Sequence, residues 1–329
     1  MRVAFAGVAH SHPFADAAGL VARGAEVVGV WDEDDPARRI DFAERFAVPA
    51  RAELGDLLAL RPDVVVATPR TPRAAEVAFA CAQAGIPAFV NKTVAADAAG
   101  LARWRALPPA PRFTSSVLRF APALAAFAAA LRGCRIHAID VHAQHDIAGF
   151  LTAVRRWQDD PSGAGGTMLN IGLHAWEMLD VLVSGARAEI LSAVRTTGGS
   201  ATSSELLASV HALVGTIPVT VTIAGLAGPD RYAVRVWTDH GAQELVLPQD
   251  GDGLGYGATA DAVLALARGI VPIDPERTAA VYRNAIAAAE EARCDEALGR
   301  DGSLGRDRGE NSPLHAGPPA PMAMTPEVR

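Results

Sequence analysis

The chain has little cysteine, no run of basic residues and no long hydrophobic stretch. Its three cysteines in 329 residues, Cys81, Cys134 and Cys294, are odd in number and far apart. That excludes a disulfide framework and a Cys-x-x-Cys metal clamp, and it points to a reducing compartment. Thirty Lys plus Arg stand against 37 Asp plus Glu, a formal charge of −7, and no basic stripe is present to track phosphates, so nucleic acid is not an expected partner. The longest fully apolar run, residues 121–131, is well short of the ~20 residues that span a bilayer. The run over residues 3–9 lacks the length and the basic lead-in of a secretory signal. A soluble, cytoplasmic protein with no membrane partner is the expectation.

What is present is a composition of 50% hydrophobic and 20% charged residues, enough apolar mass for a sizeable core. The length accommodates about two domains of ~150 residues each. Over residues 1–117, short β-branched runs alternate with alanine-rich helical stretches, the pattern of βαβ units on a parallel sheet. Strands are expected at 3–6, 26–31, 64–67, 88–90 and 114–117, with helices at 13–23, 36–46, 54–59, 72–84 and 96–107. From 118 to 293 a helix after Pro122 gives way to strands joined directly to one another, at 136–144, 190–196, 206–213, 219–224, 232–238 and 244–247. Helices at 168–183, 258–268 and 275–293 complete this part. The expected architecture is therefore α/β: a doubly wound Rossmann sheet (1–117), then an α/β domain with a largely antiparallel open sheet (118–293). Residues 294–329, rich in Gly, Pro, Asp and Arg, read as a mobile tail.

In an open parallel sheet, ligands collect outside the carboxyl ends of the strands, where helix N-termini present unpaired N–H groups. Those ends carry Gly7, Val8, Ala9, His10, Ser11 and His12 after the first strand and Asp32 after the second. Thr68, Pro69 and Arg70 follow the strand at 64–67, and Asn91, Lys92 and Thr93 follow the one at 88–90. The first loop departs from G-x-G-x-x-G, with Ala9 and His12 where the second and third glycines belong. Pro13 suits a first helical turn, which leaves the helix N-terminus available to a phosphate; an ordinary strand-to-helix turn is the other reading. Asp32 lies 25 residues after Gly7, near the ~20 at which an acid meets the adenosine ribose hydroxyls. Glu33, Asp34 and Asp35 come next. Such an acidic cluster repels a 2′-phosphate, so NAD is favoured over NADP, although at least two of these acids are expected only to cap the following helix.

Several stretches resemble the glucose-fructose oxidoreductase and inositol dehydrogenase (Gfo/Idh/MocA) family over residues 1–293. They are Asp41-Phe42-Ala43-Glu44-Arg45-Phe46, Arg61-Pro62-Asp63 leading to Ala67-Thr68-Pro69, Ala84-Gly85-Ile86-Pro87 leading to Asn91-Lys92-Thr93, Arg119-Phe120-Ala121-Pro122, and the run from Gly165 to His174. The resemblance implies an NAD(P)-dependent oxidoreductase acting on a sugar, polyol or related small molecule, associated as a homodimer or homotetramer through the outer face of the second sheet. It places Lys92 in the family's E-K-P motif, with Asn91 and Thr93 in place of the acid and the proline. His174 keeps the histidine of G-G-x-x-x-D-x-G-x-H, and Asn170 replaces its aspartate.

The chemistry of these residues agrees with that assignment. Imidazole titrates near working pH, which suits His174 to act as a general base. An ammonium at Lys92 stabilises a developing alkoxide. Asn170, one helical turn from His174, orients the substrate or the imidazole without supplying negative charge. Arg73, Arg119, His145 and Trp157 are candidate substrate or pocket contacts, with packing or solvent exposure the alternative for Arg73 and Trp157. His10, His12, His142 and His145 lack the Cys or clustered carboxylates that would complete a metal site, so no metal is expected. The departures at Ala9, His12, Asn91, Thr93 and Asn170 keep a second reading open: a non-redox or regulatory protein that binds a dinucleotide or small ligand without turnover.

Overall fold

The computed structural model describes residues 1–10, 12–161, 165–197 and 201–297. Residues 298–329 of the expected tail lie outside the described residues, as does Ser11. The first half folds as β1 (Arg2–Ala6), α1 (His12–Val21), β2 (Glu26–Trp31), α2 (Pro36–Phe46), β3 (Ala50–Arg51), α3 (Leu54–Leu58), β4 (Val64–Ala67), α4 (Ala74–Gln83), β5 (Ala88–Asn91), α5 (Ala98–Arg105) and β6 (Arg112–Ser115). All strand pairs are parallel, in the order β3-β2-β1-β4-β5-β6, the doubly wound arrangement. Val64, Val65, Val66 and Ala67 on β4 are fully buried, as strands covered on both faces must be. The start of α2 follows from its sequence: Pro36 opens the first turn, and the Asp35 carboxylate accepts the Arg38 N–H.

The second half comprises α6 (Pro122–Ala130), β7 (Ile136–Gln144), α7 (Thr167–Asn170), α8 (Gly172–Leu182), β8 (Ala188–Thr197), β9 (Glu205–Val214), β10 (Ile217–Ala224), β11 (Arg231–Thr238), β12 (Gly241–Val246), α9 (Tyr256–Leu266) and α10 (Pro275–Ala297). Its sheet runs β12-β11-β7-β10-β9-β8 and is antiparallel except for the parallel pair β7 and β10. Ile139, Val141 and Ala143 of β7 point inward to α8 and are buried, while Asp140, His142 and Gln144 alternate outward.

Four local expectations shift. β6 begins two residues earlier than expected, because its register is fixed by pairing of Arg112 with Ala88, and residues 117–120 wind into a 3-10 turn instead. β3, too short to show a period, extends the sheet by two residues beside Val30 and Trp31. The helix expected over 168–183 divides at Ile171, where the His174 N–H bonds three residues back to the Ile171 oxygen. α10 continues through residues 294–297, which had been assigned to the tail.

α9 also departs from the expected division of the chain. It packs on α1 and on β4 and β5, and its Ala260, Val263 and Leu266 share an apolar cluster with Val3, Phe5 and Phe89 of the first sheet. The helix that follows the second sheet thus covers the first. Phe42 anchors the α2 side of the same cluster, its ring 4.9 Å from Phe5 and 4.6 Å from Phe46, and it is fully buried. Phe42→Ala is expected to cost about 3–5 kcal/mol, measured by denaturant unfolding.

Candidate active site

The strand order reverses between β1 and β4, so the loops that leave these neighbours diverge and open a crevice. Gly7 sits there at φ +94°, and a Cβ in its place would lie 2.4 Å from the Pro69 nitrogen; only glycine lets the two loops touch. Hydrogen bonds hold the loop from three sides. Gly7 N–H donates to the Trp31 oxygen at 2.6 Å and Ala9 N–H to the Thr68 oxygen at 3.1 Å, while Val8 N–H donates to Asp32 Oδ2 at 2.6 Å. Arg38 reaches back with Nε to the Val8 oxygen and Nη2 to the His10 oxygen, each at 2.7 Å.

Asp32 is buried, and its other oxygen accepts the Asp34 and Asp35 amides at 2.9 Å. Burial raises its pKa, and these three amide bonds oppose the rise. Asp35 caps α2, while Glu33 and Asp34 both pair with Arg73. Arg70 lies beside the same acidic turn, its Nη2 3.4 Å from the Asp34 oxygen.

Between the two sheets lies a cavity of about 230 Å³. Lys92 enters it from the end of β5, Asn170 from α7, His174 from α8, and His10 and His12 from the loop and helix that follow β1. His145, just past β7, and Tyr232 of β11 line it as well. Lys92 Nζ donates to the main-chain oxygen of Asn170 at 2.6 Å; the Lys92–Thr93 peptide is cis. Burial lowers the lysine pKa to about 8 against the opposing pull of Glu177, a buried acid three residues beyond His174. The imidazoles of His10 and His174 are held well below their ordinary range by burial first and by nearby cations second, and His12 is lowered to about 3 for the same reasons. The three rings are neutral at pH 7. His174 Nδ1 is buried with no hydrogen-bond partner.

Other expected contacts are placed elsewhere. Arg119 is buried in an ion pair with Asp180, with Glu177 at 3.7 Å, which commits its guanidinium to linking the chain before α6 to α8. Arg73 is tied to Glu33 and Asp34 at the edge of the first sheet. Trp157 is half-buried beside the cavity's Arg155 and Gln158 but is not among the residues lining the cavity. The Asn170 amide turns back to the Gly166 oxygen at 3.1 Å rather than to His174. Among the described residues, the three ligating side chains that do cluster are Cys134, Asp239 and His240, outside the cavity.

Several participants carried no motif. Asp230 meets His145 Nδ1 at 2.7 Å, a contact made across strands far apart in the chain. Tyr256 stacks on His12 at 5.6 Å and meets its Nδ1 through the hydroxyl at 3.1 Å. Asp16, buried one turn beyond His12 on α1, accepts from the Asn91 amide at 3.4 Å, and burial pushes its pKa up to about 7. Two signals were available in the sequence. Glu177 falls on the face of His174 by helical spacing, and Lys92 is the sole lysine in the chain, every other cationic side chain of that class being arginine.

Comparison with solved structures places this arrangement in context. GenD2 from gentamicin A biosynthesis, solved in complex with NAD, superposes with a TM-score of 0.78 at 18% identity, covering 89% of this chain and 94% of that one. The WlbA dehydrogenase from Bordetella pertussis, in complex with NADH and UDP-GlcNAcA, gives 0.75 at 17% identity over 89% and 96% of the two chains. A myo-inositol dehydrogenase from Corynebacterium glutamicum gives 0.74 at 15% identity over 89% and 97%. The chain has the fold of these dehydrogenases. No protein-family model and no curated protein matches the sequence.

Two substitutions separate structural from chemical roles here. Arg119→Met is expected to lower unfolding stability by about 3–5 kcal/mol, because it strips buried Glu177 of its ion-pair partner and leaves Asp180 with Arg277 alone, and to leave ligand affinity unchanged in a titration. Asp16→Asn should raise thermal stability at pH 8 and not at pH 4. The raised pKa means that burying the ionised form costs up to about 4 kcal/mol, absent near the acid's ordinary pKa and fully present above about 7.

Proposed function

We propose that the chain is an NAD-dependent oxidoreductase acting on a hydroxylated or keto small molecule such as a sugar or polyol. The observation that carries the reading is the meeting of the sole lysine, from the end of a parallel strand, with His174 from the second half in one cavity beside the topological switch point. Thr68 Oγ1 and Asn91 Oδ1, at the carboxyl ends of β4 and β5, are buried without partners, and Gly7 brings the loop after β1 against the Thr68–Pro69 backbone at the same end of the sheet. Those features fit a dinucleotide held by Gly7, Val8, Ala9, His10, His12, Asp32, Thr68, Pro69, Arg70, Asn91 and Lys92. When bound, that cofactor supplies the hydride acceptor or donor.

The side chains of this protein handle the substrate oxygen and its proton. The Lys92 ammonium, already directed at a carbonyl oxygen, holds the substrate oxygen and stabilises negative charge on it. His174, neutral and with an unpaired buried nitrogen, accepts the hydroxyl proton or returns it. Glu177 keeps the lysine charged below about pH 8. His145, fixed by Asp230, contacts the substrate. Asp32, at the end of β2, is in this proposal the acid that meets the ribose hydroxyls, hence NAD rather than NADP. No helix of the described residues is long and apolar enough to cross a membrane, and a cytoplasmic location is part of the proposal. So is a homodimer or homotetramer formed through the outer face of the second sheet, where Leu191, Val194 and Leu207 are exposed by 53, 57 and 38%.

NADH binding followed by fluorescence tests the reading: the protein should quench or shift the nicotinamide emission saturably, and no binding at millimolar cofactor would leave the ligand-sensing alternative in its place. Lys92→Met should reduce kcat/KM by roughly 10²–10³-fold. With one ε-amine in the chain, the rate of its acetylation against pH, read by mass spectrometry, should rise with a midpoint near 8 as the ammonium deprotonates.

A further inference from the structure

Arg155 is a cation without an acid. It sits in a turn between β7 and α7, half-buried, with its side chain lining the cavity that holds Lys92 and His174. Three neighbours fix it in place. Its Nε donates to Gln158 Oε1 at 2.6 Å, its guanidinium lies 5.2 Å from the centre of the Phe150 ring, and a Cβ at Gly149 would come within 2.9 Å of its Nη1. The residue that leaves room for this guanidinium is therefore a glycine, and the pose is built by the fold.

Among the described residues, no carboxylate pairs with Arg155. Arg119 and Arg277 share Asp180, and Arg73 has Glu33 and Asp34, while Arg38 and Arg112 donate from their guanidinium nitrogens to main-chain oxygens; among these residues Arg155 has only the Gln158 amide oxygen. The acid that lines the cavity, Asp230, is taken by His145. Arg155 faces like charge instead. Arg38, pinned to the loop after β1, lies near enough that its charge, after burial, lowers the pKa of Arg155. Lys92 is within electrostatic reach as well. Lys92 and Arg155 line one small volume with Arg38 close by; Glu177 acts on the lysine and Asp230 is held by His145, so among the described residues no paired acid offsets the charge of Arg155 itself.

We propose that Arg155 is an oxyanion receptor, and that the ligand of this cavity brings a carboxylate or phosphate group to its terminal nitrogens. The planar fork of a guanidinium matches both groups through paired hydrogen bonds, and the bond from Nε to Gln158 leaves the other end of the fork for the ligand. Two ligands offer that chemistry: a substrate with an acid group, such as a sugar acid, and the pyrophosphate of a dinucleotide lying on the loop that Arg38 holds. Sharing a cavity with Lys92 and His174 favours the substrate. The inference deepens the oxidoreductase reading and takes the purpose of the cavity from it, whereas the anion site stands on its own geometry.

The test is calorimetric titration of the full chain and of Arg155→Gln with glucuronate, glucose, inorganic pyrophosphate and NADH at low salt. Glucuronate should bind the native protein more tightly than glucose, and the substitution should weaken glucuronate at least about tenfold while leaving glucose unchanged. Loss of glucuronate with NADH and pyrophosphate unaffected assigns the anion to the substrate. Loss of pyrophosphate and NADH with glucuronate unaffected assigns it to the cofactor. Arg155→Lys, which keeps the charge without the fork, should fall between, and its unchanged melting temperature would show that the fold is intact. If the native protein binds neither anion, or if Arg155→Gln binds all of them as well as the native protein does, the proposal fails. If NADH never binds but glucuronate does so through Arg155, the dinucleotide reading fails and the anion site survives.

Discussion

One contact joins the two halves at their chemically active ends: the ammonium of Lys92 donating to the main-chain oxygen of Asn170. The donor stands one residue past β5 and the acceptor ends α7, so the separation of the two sheets at this point is set by the reach of one side chain. A main-chain acceptor carries no formal charge. It orients the lysine without neutralising it, which an aspartate at the same place would do. The charge is sustained instead by Glu177 of α8, itself tied to Ser116 N–H and near Arg119. Attraction from that distance suffices to keep most of the lysine protonated at neutral pH but not to return its pKa to the ordinary value.

The surrounding cavity is polar, and its histidines carry little charge. Burial strips the protons from His10, His12 and His174 at neutral pH, and each added cation makes protonation of the others harder. His145 has Asp230 on its Nδ1, which fixes which nitrogen faces the cavity. The site thus holds imidazoles in two environments, one dry and without a carboxylate, the other half-exposed and paired.

The sequence exposed what is periodic or locally encoded. Strands buried on both faces announce themselves as unbroken Val and Ala runs, and Pro36 after Asp35 marks a helix start, so the order of elements was legible almost throughout. Lys92 was legible because it follows a strand, and both it and His174 through the motifs of the family the sequence resembles; the two side chains line one cavity. Contacts between distant segments were not legible. Asp230 meeting His145, Tyr256 meeting His12 and Arg119 meeting Asp180 depend on which strands and helices become neighbours, and no local pattern records that. Asn170 illustrates the limit: its place on the helix was foreseen, but its amide serves Gly166 while its carbonyl serves the lysine.

The return of α9 to the first sheet bears on how the chain is made. α1 and the faces of β4 and β5 under it stay uncovered until residues 256–266 arrive, although every strand of that sheet is complete by residue 115. During synthesis the amino-terminal half emerges first, with Val3, Phe5 and Phe89 lacking their final cover. It must wait for most of the remaining polypeptide to leave the ribosome before its core closes, an interval in which chaperone binding or pairing with another nascent chain competes with folding.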